Sequence, residues 1–262
     1  MRFGSFLTGR YVHVESPIHS LDPRTKFLGT LLVIISVLLV PNLFFYILPA
    51  ILILSLIRMS RIGFPVYLTG IRSFWFFLVF AAVVQLISVR EGSRIFFFIT
   101  SEGLLSCAFV VLRLVLIILA AEVFSLTTPP LLSAQGVESV LSLFGMRKLS
   151  YEIGMIMTIA MRFVPILAME ADRILKAQIA RGADFERGKL VDRLKRLLVV
   201  VIPLLVSAMR KAEELTVAME ARLYTGEPPK IRYRQLAWST KDTIFLAFSV
   251  LLLCSILVAR YL

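Results

Sequence analysis

The sequence predicts an all-α polytopic membrane protein, with about five transmembrane helices and a cytoplasmic-side domain of long helices. Three observations carry that prediction. Of the 262 residues 58% are hydrophobic, with 20 Phe and a mean hydropathy of +0.87, which is more apolar surface than one soluble core could hide from water. The apolar residues gather in runs of about the length that crosses a bilayer. The cations gather elsewhere: eighteen of the 29 Lys and Arg fall between 147 and 241.

Crossing the hydrocarbon takes about 20 helical residues, and the runs expected to do so are Thr25 to Val40, Asn42 to Leu56, Arg72 to Val89, Leu104 to Leu126 and Thr243 to Arg260. The first two are short and form a hairpin around Pro41-Asn42. "SLDPRTK" (20–26) explains how the first begins: Asp22 can cap free amides, Pro23 suits the first helical position, and Arg24 and Lys26 mark the headgroup level. No small-residue cleavage site follows that span, so it reads as retained.

Cations fix the expected orientation. Arg2, Arg10, Arg24 and Lys26 accompany the start of the first span, the 40–43 turn has none, and Arg58, Arg61 and Arg72 surround the second loop. Arg90 and Arg94 sit in the third. By the positive-inside tendency the N-terminus, the second loop and the 127–241 block are cytoplasmic. The chain then divides into N-terminal membrane helices (1–126), a cytoplasmic-side domain (127–241) and a C-terminal transmembrane helix (242–262). Within the block, "IGMIMTIAMRFVPILAM" (153–169) is apolar but carries Arg162 and Pro165 between basic flanks, so a partly embedded or sharply kinked helix is expected. "LLVVVIPLLVSAM" (197–209) is too short to span unaided. In "FERGKLVDRLKRLLVVV" (185–201), Leu190, Leu194, Leu197 and Val201 recur at helical spacing, with Arg187, Arg193, Lys195 and Arg196 mostly elsewhere, as in a helix lying on a membrane or packed with one solvated face.

The residues exclude several chemistries. A charge of +12 on so apolar a chain marks loops held near anionic headgroups, and no nucleic-acid partner is expected. Cys107 and Cys254 stand alone, His13 and His19 have no carboxylate pair beside them, and no metal or cofactor is implied. Nothing matches the phosphate-cradling GxxxxGK[ST] loop. Arg113 and Glu122 lie nine residues apart on opposite sides of one helix, so each needs a partner elsewhere and neither suggests a relay. A polytopic membrane enzyme lacks its clustered groups here, and a self-sufficient secondary transporter lacks polar, broken helices at mid-membrane.

One internal repetition stands out. "FVPILAMEADRILKAQIARGADF" (163–185) and "VIPLLVSAMRKAEELTVAMEARLY" (201–224) each start around a proline, continue as a mixed-charge helix and end at Ala-Arg. Leu167, Ile174 and Ala177 form a stripe leading to Arg181; Met209, Ala212, Leu215 and Met219 lead to Arg222. A guanidinium presents five donors in a fixed fork, and small neighbours let another backbone come close. That describes a knob made for a groove. For a single copy the plainer reading is the better one, Gly182 as a helix C-cap with Arg181 a cation favoured at a helix C-terminus; the second copy brings the two readings nearly level.

"SPIHSLDPRTKFL" (16–28), "TTPP" (127–130), "MRFVPIL" (161–167), "AQIARGADFERG" (177–188) and "LVSAMRKAEELTVAMEARLYTGE" (205–227) together resemble the transmembrane T component of energy-coupling factor (ECF) transporters, the family that includes CbiQ-type subunits. The resemblance runs in order from about 16 to 235. It implies a non-catalytic scaffold in the cell membrane, holding a small substrate-binding S component for a vitamin or transition-metal ion. It also implies a coupling domain whose two long helices dock into two ABC-type ATPases. Carried over, Ala180, Arg181 and Gly182 are the first docking tip, and Ala221, Arg222 and Leu223 the second. Leu223 departs from the small residue usual in the third place, which puts close approach there in doubt.

Overall fold

The computed structural model describes residues 11–89, 94–96, 99–143, 145–183, 190–227 and 238–261. They form two compact units, 11–140 with 238–261 and 141–227. Arg2, Arg10, Arg90 and Arg187 of the charge pattern lie outside the described residues.

In the first unit, α1 (Pro23–Leu39) begins as "SLDPRTK" predicts: the Asp22 carboxylate accepts the Arg24 N–H at 2.9 Å and Pro23 occupies the first helical turn. With 17 residues α1 is shorter than a full crossing. A 3₁₀ turn (Leu43–Tyr46) feeds α2 (Ile47–Ser60). The third span differs from expectation. It is a pair, α3 (Phe64–Ser73) and α4 (Trp75–Ser88), bent by 57° at Phe74. The polar residues Thr69, Arg72 and Ser73 interrupt the apolar pattern of α3, which hid it in the sequence. A short antiparallel ladder, β1 (Arg94–Phe96) with β2 (Ile99–Thr100), precedes α5 (Ser101–Thr127). Then come α6 (Pro130–Leu143) and, at the end of the chain, α9 (Thr240–Tyr261).

The core of this unit joins Val33 and Val37 of α1 to Ile53 of α2, Leu116 and Val123 of α5, and Ile256 of α9. Between helices in lipid the gain comes from close van der Waals packing, because the tails are as apolar as leucine. Gly29 lets α1 come close to α9: a Cβ there would fall 2.2 Å from the Phe245 ring of α9.

The second unit holds two long helices that pack on each other, α7 (Arg147–Ala180, 34 residues) and α8 (Leu190–Ala221, 32 residues). Pro165 and Pro203 lie inside them, and both helices continue through. The apolar runs 153–169 and 197–209 are therefore parts of longer helices, and residues 190–201 are the start of α8. By length and composition Leu43–Ser60, Ser101–Thr127, Lys148–Ala180 and Thr240–Tyr261 can cross a membrane, and the bent α3–α4 pair is a fifth span if counted as one.

Candidate functional site

The last turns of α7 are charged: Lys176 pairs with Asp172, and Arg173 with Glu170 at 3.7 Å. These pairs sit at i,i+4 and i,i+3 on an exposed surface and contribute only tenths of a kcal/mol each. They mark this end of α7 as one that meets water.

The helix then closes with a defined cap. The N–H of Gly182 donates to the Ile179 carbonyl at 2.9 Å, and that of Ala183 to the Gln178 carbonyl at 3.0 Å. This is the crossed pair of a Schellman motif, with Gly182 left-handed at φ 87°. At the end of α8 the Leu223 N–H donates to the Glu220 carbonyl at 2.9 Å and the Tyr224 N–H to the Met219 carbonyl at 3.1 Å. The pattern is the same, position for position. Arg181 and Arg222 occupy the same place, the last half-helical residue before the left-handed one.

Leu223 takes that left-handed place with φ 55°. For an L residue with a Cβ this costs about 1–2 kcal/mol, which a glycine avoids. Its departure from glycine therefore leaves the backbone unchanged, and it places an apolar side chain, 85% exposed, beside Arg222. A Cβ at Gly182 would meet nothing within 4 Å. Ala180, Arg181, Gly182, Ala221, Arg222 and Leu223 are all exposed. The local reading of Gly182 as a helix cap thus fits the geometry, and the repetition is structural as well as textual.

A second constellation sits in the first unit, around the other quoted phrases. His19 is held by Ser16 Oγ on Nδ1 at 2.7 Å and by the Val12 carbonyl on Nε2 at 3.0 Å. Lys26 is buried, 4% exposed, and its Nζ donates to the carbonyls of His19 (3.1 Å) and Thr127 (3.2 Å). It folds inward, where the sequence placed it at the headgroup level. The carboxylates of Asp242 and Asp22 act on its charge. Asp242 accepts from the Asp22 N–H at 2.8 Å and from the Ser239 N–H at 2.9 Å. "SPIHSLDPRTK" and "TTPP" are thus joined through Lys26, and the start of α9 is locked onto the start of α1. Sequence reasoning missed Asp242, although Ser239 three residues before it forms a capping-box signature. Burial disfavours the charged imidazolium and lowers the His19 pKa below its ordinary value.

The two charges of α5 also find places. Arg113 Nε donates to the Tyr46 hydroxyl at 2.9 Å and its guanidinium lies 5.1 Å from the Phe109 ring centroid. Glu122 is buried against Gly70 of α3, where any Cβ would collide with its carboxylate. Both act between helices of the same unit. Among the described residues no three His, Cys, Asp or Glu side chains gather as a metal site requires.

These features define a polytopic helical membrane protein whose second unit ends in two matching, exposed, arginine-bearing caps. The chain belongs to the CbiQ family of cobalt transport proteins, which residues 14–233 match. It is 58% identical over 261 residues to the energy-coupling factor transporter transmembrane protein EcfT of Thermotoga maritima, covering 100% of this chain and 96% of that one. It is 41% identical to the EcfT of Heliobacterium modesticaldum, covering 94% and 95%, and 36% identical to that of Bacillus subtilis, covering 91% and 92%.

Proposed function

We propose that this chain is the transmembrane scaffold of an ECF-type ABC importer, and that it couples ATP hydrolysis by two partner ATPases to uptake of a vitamin or transition-metal ion. The observation that carries this reading is the doubled cap. Two long helices close with the same hydrogen-bond pattern and present Arg181 and Arg222 at equivalent exposed positions. Each tip, Ala180-Arg181-Gly182 and Ala221-Arg222-Leu223, docks in a groove of one ATPase, where the guanidinium fork meets carboxylates or backbone carbonyls.

The exposed apolar side chains of α7 and α8, among them Ile156, Val164, Met169, Ile202, Leu205 and Val206, support contact with an apolar partner, which we assign to the S component and lipid. The chain performs no catalysis itself. ATP binding draws the two ATPases together, the tips follow, and α7 and α8 carry the motion to the membrane helices and the S component. Motion passes this way only if the tips bind differently in the open and closed states. The N-terminus and the 127–241 domain face the cytoplasm, where ATP is found and where the positive-inside tendency puts them.

Charge reversal tests the reading. Arg181→Glu and Arg222→Glu should each weaken ATPase capture by about 10- to 100-fold, the worth of a charge-assisted hydrogen bond. The double variant should abolish transport while the protein stays folded. Co-purification and uptake that match the wild type in the double variant would overturn it.

A further inference from the structure

The two tips share one backbone and differ in what that backbone displays. At the first, the left-handed position is a glycine with open space around it. A partner's main chain can come directly against Arg181 there. At the second, the same position holds out Leu223, 85% exposed and left-handed at φ 55°. Nothing in the cap's own chemistry asks for leucine. Glycine or asparagine would close the helix with less strain, and an exposed leucine contributes no packing in the free chain. A left-handed residue that displays an apolar side chain beside the docking arginine offers that side chain to something outside the chain.

Resting on the reading of both tips as ATPase-docking sites, we propose that Leu223 is a specificity-determining contact. It is an apolar knob that fills an apolar socket in the ATPase groove receiving the second tip. The groove receiving the first tip needs no such socket, because a flat Gly182 leaves room for backbone. The tips are therefore not interchangeable, and Leu223 fixes which groove takes which helix.

The experiment uses the full chain co-expressed with its ATPases and reads two quantities, thermal stability and ATPase capture. Leu223→Gly and Leu223→Asn relieve the left-handed strain, so the cap alone predicts equal or higher stability and unchanged capture. The socket predicts the opposite for capture: a loss of about tenfold to hundredfold, the equivalent of exposing one buried leucine. Leu223→Met, which keeps an apolar side chain of similar volume, should retain capture near the wild-type level. Glycine and asparagine variants that capture ATPases as the wild type does would overturn the proposal. If Arg181→Glu and Arg222→Glu also leave capture intact, docking at the tips fails as a whole. If those two abolish capture while Leu223→Gly does not, only the role of Leu223 falls.

Discussion

The two units handle polar groups in opposite ways. The first buries its polar groups and pairs them across distant segments: Lys26 with the carbonyls of His19 and Thr127, Asp242 with the backbone of Asp22, Arg113 with Tyr46. The second leaves polar and apolar side chains alike outside. Leu205 and Met209 are 61% and 59% exposed, and the ion pairs of α7 lie at the surface. Buried pairs such as those of the first tie distant segments of one unit to each other. A unit that leaves two arginine-bearing caps exposed is the one open to partners. Substitutions in the first should therefore cost stability, and those in the second should cost assembly.

The largest expected contrast pits one lysine against another. Lys26→Met leaves the His19 and Thr127 carbonyls without their buried donor and should destabilise the chain by about 2–4 kcal/mol, roughly 1–2 for each acceptor left unsatisfied. Lys176→Met removes one side of an exposed i,i+4 pair and should stay within about 0.5 kcal/mol. Thermal unfolding of the two variants in the same detergent measures both. Equal losses would mean that the units do not differ in this respect.

Apolar truncations sharpen the contrast. Ile53 is 0% exposed in the core, and Ile53→Ala should cost about 2 kcal/mol, the low end of the cavity range because lipid removes much of the transfer contribution. Leu205→Ala should leave stability nearly unchanged and, if the proposed function holds, reduce co-purification with the proposed S component. If Leu205→Ala unfolds the protein as Ile53→Ala does, α8 already has its packing partner within the chain. Tyr46→Phe comes next: it deprives Arg113 Nε of its acceptor and should cost about 1–2 kcal/mol.

The same division decided what could be read from sequence. Features written in consecutive residues were legible: the Asp22-Pro23 start of α1, the prolines within the long helices, and the two Ala-Arg ends. Arg113 and Glu122 were legible as needing partners, but Tyr46 and Gly70 were not legible as the answers. Asp242 was missed because one of its hydrogen-bond partners lies 220 residues earlier, and Lys26 because a lysine beside a bilayer ordinarily reaches for headgroups. The bend at Phe74 was missed because Thr69, Arg72 and Ser73 interrupt the second half of α3, so the pair lacks the continuous run that signals a span. Leu223 is a different case. Its place in the repeat was visible, but the missing small residue left open whether the second tip is a weaker copy or a differently matched one; the backbone of the two caps is the same.

The smallest expected effect lies at His19 and concerns pH. Its imidazole is held by Ser16 and by the Val12 carbonyl, with Lys26 and His13 nearby and both disfavouring a further positive charge. Burial is the main reason that its pKa is lowered in the fold. A histidine whose folded pKa is depressed contributes stability that is fully present above its unfolded pKa of about 6.5 and is lost as pH falls through the folded value. The melting temperature of the wild type should therefore decline slightly more between pH 7 and pH 5 than that of His19→Gln, which keeps a polar side chain but cannot titrate. The loss should localise to the contacts that close the first unit, so amide exchange around residues 12–19 should quicken on acidification while the Arg181 and Arg222 caps stay unaffected. Acid sensitivity that persists in His19→Gln would place the titrating group elsewhere. Exchange that quickens at the caps as well would show that the two units do not keep their polar chemistry apart.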